Sequence, residues 1–200
     1  MKGLFLKDLY LIRSSLLVML LVFLIIGISL TYLSTPWVLT ILATVLSGMI
    51  VASTINLDKS SGWIKTALTA PVTRGGYIQS KYLAYLLASL IGLAAGILFS
   101  MLAAWLTHSN SGEIIIFVLV SLAMALLAGS IILPFYFLLD PTMSFIGSLV
   151  AYPAAAGVTV GIFLISDQIF LAFTLILILA AAAFAFSWLF VFRAMEKRDL

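Results

Sequence analysis

Six apolar blocks divide this 200-residue chain, at 14–33, 36–55, 82–106, 114–139, 143–165 and 169–192. Each is roughly 20 residues or longer, enough to cross about 30 Å of hydrocarbon as a helix. None of the six blocks contains a charged side chain. A helix satisfies its own backbone hydrogen bonds where water is absent, so the blocks predict membrane spans. The alternating ten-residue strands of a membrane barrel are not found. The predicted fold class is therefore all-α, a polytopic membrane protein with six transmembrane helices in one transmembrane domain over residues 1–200.

The polar breaks between blocks set the orientation. Lys2, Lys7 and Arg13 precede the first block, Lys59, Lys65, Arg74 and Lys81 lie between the second and third, and Arg193, Lys197 and Arg198 follow the sixth. With six crossings every cation falls on one face, and short basic loops stay cytoplasmic, so both termini are expected inside a bacterial plasma (inner) membrane. The opposite face carries Glu113, Asp167 and His108, which read as solvated caps in separate loops. The start of the chain lacks a small-residue cleavage site and reads as retained. Residues 1–13 place Leu4, Phe5, Leu9 and Ile12 on one helical face, suiting a helix along the inner membrane surface or a simple extension of the first span.

Composition agrees with this reading: 64% of residues are hydrophobic and 8% charged, proportions that a chain dissolved in water does not have. The formal net charge of +3 follows from the topology and gives no reason to expect nucleic acid as a partner. No cysteine is present, which excludes disulfides and thiolate chemistry. The only histidine lies in an outer loop and no carboxylate lies within a block, so no catalytic residue and no metal site is expected. No G-x-x-x-x-G-K-[ST] loop is present to cradle nucleotide phosphates. An active transporter of this sequence needs its energy from a partner, because ion coupling normally uses ionisable groups inside the membrane.

The break at 57–81 is the longest polar stretch. Ser60 or Ser61 is placed to cap a short helix in which Trp63, Ile64, Ala67 and Leu68 share an apolar stripe while Lys65 points elsewhere. Pro71 ends it. Thr73 is placed to cap a second helix through Arg74, Tyr77 and Lys81 into the third span, with Gly75 and Gly76 loosening its first turn. From spacing alone, an interfacial helix anchoring Trp63 at the headgroups is an equal reading.

Elsewhere, Gly157 and Gly161 form a G-x-x-x-G step in the fifth block, as do Gly92 and Gly96 in the third, and such steps let helices approach closely. Pro134, Phe135 and Tyr136 sit beside the short inner break at Asp140 and Pro141, suiting either an inner gate or a static kink in an aromatic belt.

The run Lys59, Ser61, Gly62, Trp63, Leu68, Pro71, Val72, Arg74, Tyr77, Ser80, Lys81, Tyr82 resembles the cytoplasmic loop of small six-span ABC-2 type transporter permeases, the group containing the phenol-soluble modulin exporter permeases. The opening Lys7, Asp8, Leu9 and the closing Ser187, Arg193, Glu196, Lys197, Arg198 are similar to theirs. Glycines at 75 and 76 depart from the charged residues common there, and the break at 139–143 lacks the usual basic residues. The resemblance implies a non-catalytic exporter permease, homodimeric or paired with a similar chain, docked on a cytoplasmic ABC ATPase subunit. The permease would carry no cofactor, while ATP and Mg would bind the partner. It further implies that Trp63, Ile64 and Leu68 fill a cleft on the ATPase, that Lys65 and Arg74 line its rim, and that Gly157 and Gly161 lie at the dimer interface. Amphipathic or hydrophobic cargo is expected, peptides of toxin or antimicrobial type first and lipids or antibiotics next. A regulatory membrane subunit that binds an ATPase without passing cargo would share these features.

Overall fold

The computed structural model describes residues 35–62, 73–108, 114–166 and 168–196, together with Lys7, Phe23, Ile25, Gly27 and Ser29. Every long element among them is an α-helix: α1 (Val38–Ser60), α2 (Arg74–Thr107), α3 (Ile114–Leu138), α4 (Pro141–Ile165) and α5 (Ile169–Glu196). All five are long and apolar enough to cross a membrane. They fall on the last five expected blocks. Most of the first block lies outside the described residues, although Phe23, Ile25, Gly27 and Ser29 are helical and Phe23 packs with Leu39 and Ala43 of α1.

The ends of the helices follow from local chemistry. Pro36 and Trp37 form a turn from which Val38 N–H reaches Thr35 O at 3.2 Å, starting α1. At the other end α1 overruns its expected limit by five residues, to Ser60, and Gly62 takes φ 67° to leave the helix, a conformation that glycine adopts without strain. Ser60 and Ser61 therefore stand at the end of α1, while the short helix that one of them was expected to cap lies outside the described residues. The two serine hydroxyls point back to Leu57 O and Asp58 O. Thr73 does cap α2 as expected: its Oγ1 accepts from Gly76 N–H at 3.1 Å. Pro141 opens α4 at a position where the missing N–H costs nothing.

Short links make neighbours antiparallel, and one end of the bundle collects the end of α1, the start of α2, the end of α3, the start of α4 and the end of α5. Contacts show this directly. Lys59 Nζ donates to Leu139 O at 2.6 Å, the Asn56 amide donates to Ser144 Oγ at 2.7 Å, and Gly75 lies against the Phe192 ring. We call this the charged end.

The tightest pairing is α1 on α2. A Cβ at Gly92 would come within 2.6 Å of Ala43 O, and one at Gly96 within 2.8 Å of Thr40 Cα, so these glycines are what lets the backbones meet. The third-block glycine step is thus used inside the subunit. On the other side α3 packs on α4 and α5, and Leu127, Ile132, Leu133, Phe137, Phe184 and Val191 join Val51, Ile55, Tyr82 and Tyr85 in one core.

Candidate functional site

At the charged end, α1 and α2 converge on one carboxylate. Asp58 lies on the last turn of α1, three residues beyond the apolar block in the part of the helix that overruns it, and is buried. Lys81 Nζ approaches Asp58 Oδ2 at 2.8 Å and donates to Thr54 Oγ1, one turn earlier on α1, at 2.9 Å. The Tyr77 hydroxyl donates to the same Oδ2 at 3.0 Å, and the Lys81 ammonium lies 5.6 Å from the centre of the Tyr77 ring. Lys7 pairs with the other oxygen, Oδ1. Desolvating a carboxylate and an ammonium is costly, and the cost is offset only where further hydrogen bonds complete both groups. Thr54 and Tyr77 do so here. Tyr77 and Lys81 are spaced i, i+4 on α2 and so share one face.

An aromatic layer continues from this cluster into the core. Tyr77 meets Phe137 edge-on at 6.0 Å, Tyr82 stacks on Phe137 at 6.2 Å, and Tyr82 and Tyr85 both contact Phe184. Tyr82 also shares a hydrogen bond with Ser187 of α5 at 2.9 Å, and Tyr85 donates to Ala125 O of α3 at 2.9 Å. Through these contacts the base of α2 touches every long helix except α4 directly.

The sequence-predicted residues fall in three groups. Trp63, Ile64, Lys65 and Leu68 lie outside the described residues, and Arg74 is the first residue of α2. Pro134, Phe135 and Tyr136 lie in the charged half of α3. Phe135 packs on Gly147 of α4, the Tyr136 hydroxyl meets Ser148 Oγ at 3.1 Å, and Pro134 and Phe135 line an open apolar groove of about 400 Å³ against α5. Gly157 and Gly161 face open space, with nothing within 4 Å of a Cβ built on either. His108 ends α2 with φ 52°, its N–H bonded to Ala104 O, while Glu113 and Asp167 lie outside the described residues.

Hydropathy assigns Asp58 and Lys81 to the polar break at 57–81. That is corrected at its two ends, where Asp58 and Lys81 turn inward and hold the segment's bases together. The membrane helices α1 and α2 close on each other through buried charge at the two ends of a basic segment, which gives that segment a hold on both helices. A family model for ABC-2 family transporter proteins matches residues 3–196. The chain belongs to that family. No curated protein and no solved structure matches it. As an ABC-2 family protein it is a multi-pass membrane protein and a transporter permease subunit, and the family implies partnership with an ABC ATPase. In this ABC-2 permease the Asp58 cluster sits where the two arms of the 57–81 segment enter the bundle.

Proposed function

We propose that this ABC-2 permease subunit serves an ATP-driven exporter of amphipathic or hydrophobic cargo, with peptides the first class and lipids or antibiotics the next. The observation that carries the reading is the Asp58–Lys81 pair. It ties together the two ends of segment 57–81, so that a force applied to the segment reaches α1 and α2 at once. In this reading the protein has six spans, both termini lie in the cytoplasm of a bacterium, and the segment is a coupling helix. Trp63, Ile64 and Leu68 fill a cleft on the ATPase, and Lys65 and Arg74 meet its rim. ATP and Mg bind the ATPase. The uncovered Gly157 and Gly161 face of α4 receives a second permease, which makes the assembly a dimer. Pro134, Phe135 and Tyr136 form the inner gate, beside the apolar groove that suits a hydrophobic cargo surface.

The test is affinity purification of the tagged permease in mild detergent, with mass spectrometry of the proteins that copurify. An ABC ATPase is expected with the wild type and is expected to be lost from the Trp63→Ala, Leu68→Ala double variant while membrane insertion persists. Absence of an ATPase under conditions that preserve other membrane complexes sinks the reading. Uptake of fluorescent amphipathic peptide, against fluorescent lipid, into inside-out vesicles then separates the cargo classes.

A further inference from the structure

A slot of about 440 Å³ runs between the first turns of α2 and the last turns of α5, with Gly75, Gly76, Gln79, Trp188, Phe192 and Glu196 in its walls. A Cβ on Gly75 would come within 2.6 Å of the Phe192 ring, so bare backbone of α2 lies directly on that ring. Because α2 begins where α5 ends, this contact sets the depth of the other groups. Glu196 stands one turn toward the water from Phe192, while Gln79 and Trp188 stand one turn toward the apolar body of the bundle. From Glu196 to Trp188 the slot covers about 12 Å of helix.

Going inward, the slot presents a carboxylate, then the Phe192 and Trp188 rings with centroids 6.3 Å apart, then the Gln79 amide and the indole N–H. Among the described residues no hydrogen bond or ion pair engages Glu196, Gln79 or the indole N–H. Glu196 and Gln79 are exposed and Trp188 is half-buried. Arg193, three residues before Glu196, is exposed and lies off the slot. Beyond Gln79 the same face of α2 continues in Leu83, which is 48% exposed.

We propose that the slot binds a phospholipid whose headgroup carries an ammonium, drawn from the leaflet at the charged end. In such a lipid the ammonium is outermost, followed by the phosphate, the ester carbonyls and the acyl chains, and the slot meets them in that order. The ammonium pairs with Glu196 over the Phe192 ring. The phosphate falls at Gly75 and Gly76, where no side chain stands in its way. The ester carbonyls accept from Gln79 and the indole N–H, and the chains run on over Leu83. Tryptophan at headgroup depth is common and by itself names no ligand. The carboxylate above it and the amide across from it choose the lipid, since an anionic headgroup would set like charge against Glu196. The site is separate from the groove at Pro134 and does not depend on what the permease transports.

The test is native mass spectrometry of the purified permease in mild detergent, titrated with dioleoylphosphatidylethanolamine and, separately, with dioleoylphosphatidylglycerol. The wild type is expected to hold the ethanolamine lipid several-fold more tightly. Glu196→Gln is expected to make the two lipids nearly equal, and Gln79→Leu to weaken the ethanolamine lipid several-fold. Asp140→Asn makes the same change of charge at an exposed carboxylate of the same end, outside the slot, and is expected to keep the wild-type preference. Equal binding of both lipids by the wild type overturns the proposal, as does an unchanged preference in Glu196→Gln or an equal loss in Asp140→Asn. Soluble glycerophosphoethanolamine, the headgroup without chains, is expected not to displace the lipid at equal concentration, and displacement overturns a lipid site. An ABC ATPase lost from Glu196→Gln, with no preference between lipids in the wild type, assigns the slot to a protein and likewise overturns it.

Discussion

The two sides of this bundle are held together by different chemistry. Between α1 and α2 a polar seam runs the length of the pair: Thr40, Thr44, Ser47, Thr54 and Asp58 on one helix, Lys81, Ser89 and Ser100 on the other, all buried. Thr40 and Ser100 share a hydrogen bond at 2.9 Å near one end, and Asp58 and Lys81 close the other. Between α3 and α5 the contact is Leu127, Ile132, Leu133, Phe137, Phe184 and Val191, with an open apolar groove beside Pro134. Lipid tails are as apolar as leucine, so the second interface gains little from avoiding lipid and depends on shape. Hydrogen bonds between the helices at the two ends of the seam favour one register; an apolar face admits sliding. On the proposed transport cycle the contrast assigns motion as follows: α1 and α2 are expected to travel as a pair, with rearrangement on the α3–α5 side.

The most severe test of that contrast is Asp58→Asn. It leaves Lys81 buried beside a neutral amide and should cost about 3–5 kcal/mol, the range for breaking a buried pair. Thermal unfolding in detergent measures it, and a loss no larger than that of Phe184→Ala would erase the distinction between the two sides. Next in size is Gly92→Ala, whose new methyl would meet Ala43 O and Ser47 and should cost about 1–3 kcal/mol of overpacking. Gly157→Ala, with open space around it, should leave the melting temperature of the subunit unchanged and, on the proposed dimer, alter only chemical cross-linking between permeases. A smaller effect is expected at the base of α2, where Thr73→Ala removes the cap and about 1 kcal/mol. The smallest is Thr40→Val, worth about 0.6 kcal/mol as a single hydroxyl contact between membrane helices. If Thr40→Val matched Asp58→Asn, the seam would be uniform along its length, with no strong end.

Much of the fold could be read from the chain because lipid imposes one rule on every span: length and the absence of charge mark the apolar body of α1 to α5, although α1 runs five residues past its block and α2 starts eight before its own. Thr73 was legible as a cap because an exposed threonine ahead of a helix has few other uses. The Asp58 cluster was hidden for a related reason. Asp58 and Lys81 stand just outside apolar blocks, where hydropathy assigns them to water, and nothing local says that α1 runs on to Ser60 and brings them together across 23 residues of sequence. The seam was hidden differently. Thr40, Thr44, Ser47 and Thr54 recur at helical spacing on one face of α1, but hydroxyls are nearly neutral in hydropathy and leave the apolar count undisturbed. That Ser60 and Ser61 close α1 was not legible, because a serine that closes one helix looks the same in sequence as one that starts the next. Gly92 and Gly157 look alike in sequence too, and only the partner helix, α1 for one and open space for the other, separates them.

The length of α2 has a mechanical consequence. Its 34 residues, at a rise of about 1.5 Å each, span about 51 Å against a hydrocarbon layer of about 30 Å. Lys81, where α2 is fastened to α1, stands seven residues after Arg74 and twenty-six before Thr107. If α2 turns as one body with α1 about the level of that bond, it has an input arm of about 10 Å and an output arm of about 39 Å. A push of one ångström at Thr73 then becomes a sweep of about four at the far end, where Trp105 and Leu106 stand exposed. Gearing of that kind lets a small stroke at the charged end open or close a passage on the opposite side of the membrane.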